Sequence, residues 1–287
     1  MKSYFNLLLI GATAMFAACN NEDAPEAKGG EGNEIAFLCS YAPESRATDT
    51  AFEGNDRIGV YIVADGKTLQ TGGNELNNEQ FSYNGTAWTP ARKAYWNEGV
   101  HNVYAYYPYV AKVNDTEDFT FDLQTDQSTH AGYTASDFLW ASKTGVTASA
   151  SPVSLQFAHR MSKAIIKLEK GEDYEGELPA DCEVYIHSTV ATASVNLENG
   201  GVSKDIYAGT STIRAFKKSN TEYEAIVVPQ NIESRRPLVE VVTQGVSYLM
   251  EGRLSFKQGC SHTLIVTIGK SPNQTKIEIG GSIGGWN

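Results

Sequence analysis

One short stretch near the end of the chain has the spacing of a serine nucleophile. Gly-Gly-Ser-Ile-Gly at 280–284 matches the GxSxG pattern, in which a strand-to-helix turn exposes the serine and an acid and a histidine follow. Three residues follow Gly284, and none of them is acidic or a histidine. The pattern therefore indicates a glycine-rich final strand and argues against a hydrolase.

Other patterns match phosphate or metal chemistry only in part. Gly-Lys-Thr at 66–68 and Gly-Lys-Ser at 269–271 lack the first glycine of a P-loop, and the acids at 115–118 lack the spacing and glycine of a calcium loop. A pair of glycosidase carboxylates comes together only in the folded chain, so the sequence leaves such a pair open. We expect no cofactor and no metal, because the histidines are scattered. They are His101, His130, His159, His187 and His262.

Four tyrosines in one short strand offer an aromatic surface on which sugars stack. Alternation places Tyr104 and Tyr106 on one face of this strand and Tyr107 and Tyr109 on the other. One pair then faces a core, and we expect packing rather than a ligand site.

Residues 1–19 point to export. Lys2 precedes an apolar run, Leu7 to Ala18, which is too short to span a bilayer and has the length of a signal-peptide core. Phe-Ala-Ala-Cys at 16–19 resembles the lipobox of bacterial lipoproteins. The resemblance implies a signal peptide at 1–18 and lipidation of Cys19, whose acyl chains would hold the protein at a membrane. A plain secretory signal with an incidental cysteine is the alternative.

A polar segment follows the cysteine. Residues 19–33 are rich in Asn, Glu and Gly and have no apolar period, which predicts a flexible acidic tether. Glu22 and Asp23 resemble the export signal of surface lipoproteins in anaerobic Gram-negative bacteria. The resemblance implies the outer face of the cell outer membrane, although an ordinary solvated linker fits these residues equally.

Charge and cysteine usage narrow the class further. The 287 residues carry a formal charge of −11, spread along the chain, which argues against a nucleic-acid partner. Besides Cys19, the cysteines are Cys39, Cys182 and Cys260. Their odd number and wide spacing indicate no disulfide framework or zinc site, so we expect buried thiols, with one long-range bridge left open.

The remainder of the chain has the pattern of short strands. Residues 57–63 and 162–168 alternate between apolar and polar types, and Asn-Gly at 84–85 and 199–200 and Gln-Gly at 244–245 predict hairpins, the first with a type I′ turn. No segment after residue 19 sustains a helical period. The sequence therefore predicts an all-β fold of sandwiches or barrels.

A charged, glycine-containing stretch at 169–179 divides the chain. We interpret it as a linker between an N-terminal β-sandwich at 34–168 and a C-terminal β-sandwich at 180–287, each of a suitable size for such a fold.

Several segments, in order, resemble the fimbrillin family, the lipoprotein-derived pilins of anaerobic Gram-negative bacteria. They span residues 46 to 286, and the order and spacing of the segments make the match specific. They are Arg-Ala-Thr at 46–48, Phe-Glu-Gly-Asn-Asp-Arg-Ile-Gly-Val-Tyr at 52–61, Tyr-Trp at 95–96, Tyr-Ala-Tyr-Tyr-Pro-Tyr at 104–109, Ser-Asp-Phe-Leu-Trp-Ala at 136–141, Phe-Ala-His-Arg-Met-Ser-Lys at 157–163, Ile283 and Trp286.

The resemblance implies two transthyretin-like β-sandwiches and a way to polymerise. In such pilins a protease cuts after an arginine, which is Arg46 here, and the first strand, here Ile35 to Ser40, leaves with the lipid anchor. The C-terminal strand of the next subunit then fills the open sheet edge by β-augmentation. A loop arginine with no processing role is the alternative for Arg46.

The resemblance also implies the partners and the donor residues. Other pilin subunits would be the partners, in a homo- or hetero-polymer used for surface adhesion, with the outer membrane held through Cys19. A tip, anchor or adhesin role, with a host glycan or protein as ligand, is the alternative, because glycines weaken the final strand. The candidate donor or closing side chains are Ile277, Ile279, Ile283 and Trp286.

Overall fold

Short strands build almost all of the folded chain. The computed structural model describes residues 33–42, 51–270, 276–278 and 283–286, within the unit Gly32–Asn287. The predicted all-β class is confirmed, and the described residues include one short helix, α1 (His130–Thr134). The strands are β1 (Phe37–Tyr41), β2 (Arg57–Ala64), β3 (Leu76–Tyr83), β4 (Trp88–Pro90), β5 (Val100–Tyr107), β6 (Phe119–Asp122), β7 (Leu139–Thr147), β8 (Val153–His159), β9 (Ser162–Lys170), β10 (Glu183–Thr189), β11 (Thr192–Val195), β12 (Val202–Lys204), β13 (Ser211–Arg214), β14 (Phe216–Lys217), β15 (Glu222–Val227), β16 (Gln230–Thr243), β17 (Val246–Phe256), β18 (Cys260–Ile268), β19 (Lys276–Glu278) and β20 (Ile283–Gly285).

The first sheet has seven strands in the order β1-β8-β7-β5-β2-β3-β4. Its two ends approach each other, since the Ile35 amide donates to the Ala94 carbonyl at 2.9 Å and the Trp96 amide donates to the Asn33 carbonyl at 3.0 Å. The sheet therefore curls around one apolar core, which includes Phe81.

Strand β2 is buried on both faces. Ile58 and Ile62 face the core inside the curled sheet. Tyr61 and Val63 face a second core, because a three-stranded sheet, β12-β11-β6, contributes side chains such as Phe121 to that side. The alternating pattern predicts one buried face for β2. Its second face is buried by strands that are distant in sequence.

Two further sheets enclose a third core. One has the order β14-β15-β9-β18-β19, with β20 also on β18, and the other has the order β13-β10-β16-β17. Strand β18 runs parallel to β9, and Ile166, Val184 and Val266, each fully buried, meet between the sheets.

Strand β9 contributes to the third core. Its residues Ala164, Ile166 and Leu168 pack with side chains of β10 and β16 to β18, which follow the predicted linker at 169–179. The division into sandwiches at 34–168 and 180–287 stays a prediction. The packing of β9 adds that residues 162–168 share a core with the later strands.

The predicted hairpins form, with one difference in turn type. Gln244 and Gly245, with φ of 48° and 76°, make a two-residue turn between β16 and β17. The expected type I′ turn at Asn84-Gly85 is wrong, because four residues, 84–87, join β3 to β4. The Asn84 side chain accepts the Thr86 and Ala87 amides at 2.9 and 2.8 Å, which stabilises the longer loop.

Candidate functional site

The first strand forms an edge of the curled sheet. β1 runs parallel to β8, with Phe37 opposite Val153 and Tyr41 opposite Phe157. Beyond the strand, the Ala42 amide donates to the Phe157 carbonyl at 2.8 Å. An end strand held by one neighbour is a part of a sheet that another strand can replace, because its partner's N–H and C=O groups are then free to pair again.

Alternate side chains of the first strand enter the first core. Ile35 and Phe37 are 4% and 3% exposed, whereas Leu38 on the other face is 61% exposed. The Phe37 ring meets Phe81 edge-on, with centroids 4.9 Å apart. Cys39 lies on the same inward face. Removal of this strand would therefore open an apolar groove beside the edge of β8.

The first strand ends in an aromatic cluster. The Tyr41 ring lies 4.9 Å from Phe52 and 5.7 Å from His159, and Phe52 in turn meets Trp88 and Phe157 at 5.0 and 5.3 Å. Aromatic pairs at these separations attract one another. The end of the first strand is thus held by aromatic contacts as well as by its backbone hydrogen bonds to β8.

The C-terminal segment returns to the same region. β20 pairs antiparallel with β18, placing Gly285 opposite Cys260, and the Trp286 amide donates to the Gly259 carbonyl at 2.7 Å. Trp286 is 3% exposed, and its ring stacks on His159 with centroids 4.1 Å apart and an interplanar angle of 11°. One buried indole therefore fastens the end of this segment.

Charged groups hold both sides of this indole contact. His159 Nδ1 lies 2.9 Å from the Asp137 carboxylate, and the Lys163 ammonium lies 5.7 Å from the Trp286 ring centroid. Lys163 also pairs with Glu224 at 3.4 Å. Asp137 thus holds the His159 ring and Glu224 holds the Lys163 ammonium, and the indole packs between these two groups.

A cavity of about 440 Å³ lies between the end of β1 and the C-terminal segment, with Tyr41 and Trp286 in its wall. Asp56 and Asp137 also line it, and the Tyr107 hydroxyl donates to Asp56 at 3.1 Å. Burial and then these carboxylates raise the pKa of Tyr107, so its phenol stays protonated and keeps donating. The cavity is therefore acidic and aromatic.

The predicted site residues fall in different parts of the chain. Cys19, Arg46 and Ile279 lie outside the described residues, as do the signal peptide at 1–18 and residues 19–32. The backbones of Ile277 and Ile283 lie in β19 and β20, and both strands pair with β18. These backbone positions and the buried Trp286 therefore lie beside β18 of the same chain, and the donor role of these residues stays a prediction.

The tyrosine strand is packed, as the alternation predicts. Tyr104 and Tyr106 are 8% and 1% exposed and belong to the second core. The Tyr106 hydroxyl donates to the Asn78 side chain at 2.8 Å. Tyr107 and Tyr109 are half-buried, and Tyr107 lines the acidic cavity.

The metal, nucleophile and cysteine candidates of the sequence form no site among the described residues. Across the described ranges, no three His, Cys, Asp or Glu side chains are placed to hold a metal ion, and Ser282 of the GxSxG pattern lies outside those ranges. Cys39, Cys182 and Cys260 are free thiols. No helix in the described part of the chain is long and apolar enough to cross a membrane.

Sequence reasoning assigns no role to His159. This residue ends β8, and the fold brings it beside both Tyr41 and Trp286, which lie near opposite ends of the chain. Segment 157–163 carries part of the family resemblance, and that signal marks the region without showing its contacts.

Comparison with known proteins supports this resemblance. A family model described as fimbrillin-like matches residues 45–286. The chain is 29% identical to a Bacteroides ovatus protein named "Putative fimbrium tip subunit Fim1C", over 77% of this chain and 45% of that protein. The chain thus spans less than half the length of that relative.

Two solved structures have a similar fold. A "putative cell adhesion protein" from Bacteroides ovatus superposes with a TM-score of 0.71 at 22% identity, covering 90% of this chain and 98% of the other. A "putative cell adhesion protein" from Bacteroides uniformis gives a TM-score of 0.68 at 19% identity, covering 88% and 98%. At these identities the likeness concerns the fold alone.

Proposed function

The chain belongs to the fimbrillin-like family, and we propose that it is a non-enzymatic subunit of a surface fimbrium. The observation that carries the proposal is the edge strand β1 with the residues just before it, because Ile35 and Phe37 fill a core beside an edge that a donated strand could take. The relative named as a fimbrium subunit supports the same role.

Processing at Arg46 is the step that would expose the acceptor groove. Arg46 lies between Tyr41, the last residue of β1, and Ala51, where the described chain resumes. A cut at this position would break the covalent link between β1 and all later strands, leaving the ladder to β8, the hydrogen bonds between residues 33–35 and 94–96 and the buried side chains as its hold on the sheet. Because β1 has five residues, this hold is short, and a longer donor strand would compete well.

Lipidation of Cys19 would deliver the subunit to the cell surface before this cut. The lipid and the first strand lie on the same side of Arg46 in sequence. Cleavage would therefore release the anchor and open the groove in one step. An uncut subunit would stay attached to the outer membrane and keep its groove filled.

A second candidate role is the tip or anchor of the fimbrium. The observation that favours it is the burial of Trp286 against His159 of its own chain, because a segment packed in this way is withheld from a neighbouring subunit. The relative named as a tip subunit points in the same direction. As a tip, the subunit would accept a strand and donate none.

Surface material from cells carrying the natural chain or Arg46→Ala tests the proposal. We expect the natural chain to have Ala47 at its N-terminus by mass spectrometry and to give a ladder on an unboiled denaturing gel. Arg46→Ala should keep acylated Cys19 and lose the ladder. Arg57→Ala is the matched control, since Arg57 is an exposed arginine at the start of β2.

Each outcome separates the roles. A ladder that persists in Arg46→Ala with Cys19 still at the N-terminus would contradict assembly through this cut. A natural chain with Ala47 at its N-terminus that migrates as a monomer, or is found once per fimbrium, would contradict a stalk role and favour the tip.

A further inference from the structure

His159 contacts both parts of the chain that assembly must move. Its ring lies 5.7 Å from Tyr41 at the end of β1 and 4.1 Å from Trp286 at the end of the C-terminal segment. His159 is 2% exposed, and Nδ1 pairs with the Asp137 carboxylate at 2.9 Å. The imidazole is therefore fixed, and its position depends on rings from both segments.

The C-terminal segment has few other attachments. β20 is three residues long and contains Gly284 and Gly285, which pair with Ser261 and Cys260. Glycines weaken a strand because they bring no side chain to pack and lose much conformational freedom. The buried indole of Trp286 therefore decides whether the segment stays in place.

We propose that His159 is a positioning residue that couples release of the first strand to release of segment 283–286. This inference rests on the proposed function, in which β1 leaves the sheet. When Tyr41 departs, one wall of the cavity beside Trp286 is lost, and His159 loses an aromatic neighbour. Water reaches the imidazole, and its stacking on Trp286 weakens.

The coupling gives assembly an order. While β1 is in place, Tyr41 and His159 keep Trp286 packed, and segment 283–286 stays on β18. Once β1 has left, the same segment is freer to pair with a second copy of the chain or another pilin. Lys163 still faces the indole, so the segment is loosened rather than expelled, and an incoming groove completes its release.

Hydrogen exchange in the full, uncut chain tests this coupling. We expect Tyr41→Ala to speed exchange of the amides at 284–286 by at least about fivefold, the effect of losing one aromatic contact. Leu38→Ala is the matched control, because Leu38 is on the same strand and faces solvent. It should leave these amides unchanged, and exchange in β9 and β15 should stay slow in both variants.

A double variant shows whether the effect passes through His159. In a His159→Ala background, segment 283–286 already exchanges fast, and adding Tyr41→Ala should change it less than twofold. Full additivity of the two substitutions, or unchanged exchange in Tyr41→Ala, would overturn the proposal. If Tyr41→Ala also speeds exchange in β9, Tyr41→Leu replaces it, because leucine removes the ring and keeps apolar volume, and the same faster exchange at 284–286 is then expected.

This test does not need cleavage. If Arg46 is never cut in cells, the proposed assembly through this cut fails while the coupling between Tyr41 and Trp286 is still measured. If Arg46 is cut and the ladder forms while exchange at 284–286 is unaffected by Tyr41→Ala, the proposed function stands and the coupling fails.

Discussion

The indole of Trp286 stacks on the imidazole of His159 in nearly parallel planes, 11° apart, with centroids separated by 4.1 Å. His159 ends β8, the strand that holds β1, whereas Trp286 follows β20 on β18. The contact therefore joins the β1 edge of the curled sheet to the last described residue of the chain. A change at β1 has a direct physical route to Trp286.

Replacing Trp286 by alanine should destabilise the chain by about 3 kcal/mol, because the indole is 3% exposed and its loss leaves a cavity. Urea unfolding measures the change. Tyr207→Ala is the control, since Tyr207 is 92% exposed and should shift stability by less than about 0.5 kcal/mol. Equal stability of the two variants would mean that the indole leaves its site readily.

Local patterns predict the strands but not what covers them. Alternation locates β2, and Gln244-Gly245 locates the β16–β17 turn, because period and turn chemistry act over a few residues. The burial of Tyr61 and Val63 by another sheet depends on pairing between β6 and β11, which are far apart in sequence. Such long-range pairing has no short-range signal.

The candidate site is only partly accessible to sequence reasoning for the same reason. The family pattern selects Trp286 as a donor-strand or closing-strand residue and Ile35 to Ser40 as the first strand. The acidic cavity and the role of His159 arise where Tyr41, Asp137 and Trp286 meet. No spacing in the chain encodes that meeting, so contacts of this kind need a structure.

The ion pair between Lys163 and Glu224 predicts a non-additive mutant cycle. Their side chains are 5% and 6% exposed, and the Tyr133 hydroxyl donates to Glu224 at 2.9 Å. Lys163→Met should cost about 3 kcal/mol, because it leaves a buried carboxylate without its nearest cation. The double variant Lys163→Met/Glu224→Leu should be more stable than Lys163→Met in urea unfolding. Simple addition of the two single losses would contradict a coupled pair.

Gly59→Ala should destabilise the chain by about 2 kcal/mol. A methyl group at this position would lie 2.6 Å from both Tyr106 Cζ and Asn78 Oδ1, two groups tied by a hydrogen bond. Tyr106 is 1% exposed, so it has little room to move and the core is overpacked. Gly54→Ala meets nothing within 4 Å and should be nearly neutral. A similar thermal midpoint for both variants would refute this tight packing.

The Cys39 thiol should report whether the first strand is in place. Burial raises the pKa of Cys39 to about 12, so its thiolate fraction should rise about tenfold per pH unit from pH 7 to pH 11. Alkylation by iodoacetamide, followed at this cysteine by peptide mass spectrometry, should show the same slope. In urea, where β1 is displaced, the rate should level off above about pH 9, because an exposed thiol has a pKa near 8.5. A plateau near pH 9 in the folded chain would mean that Cys39 reacts from a detached strand, and that β1 already leaves its groove without a cut.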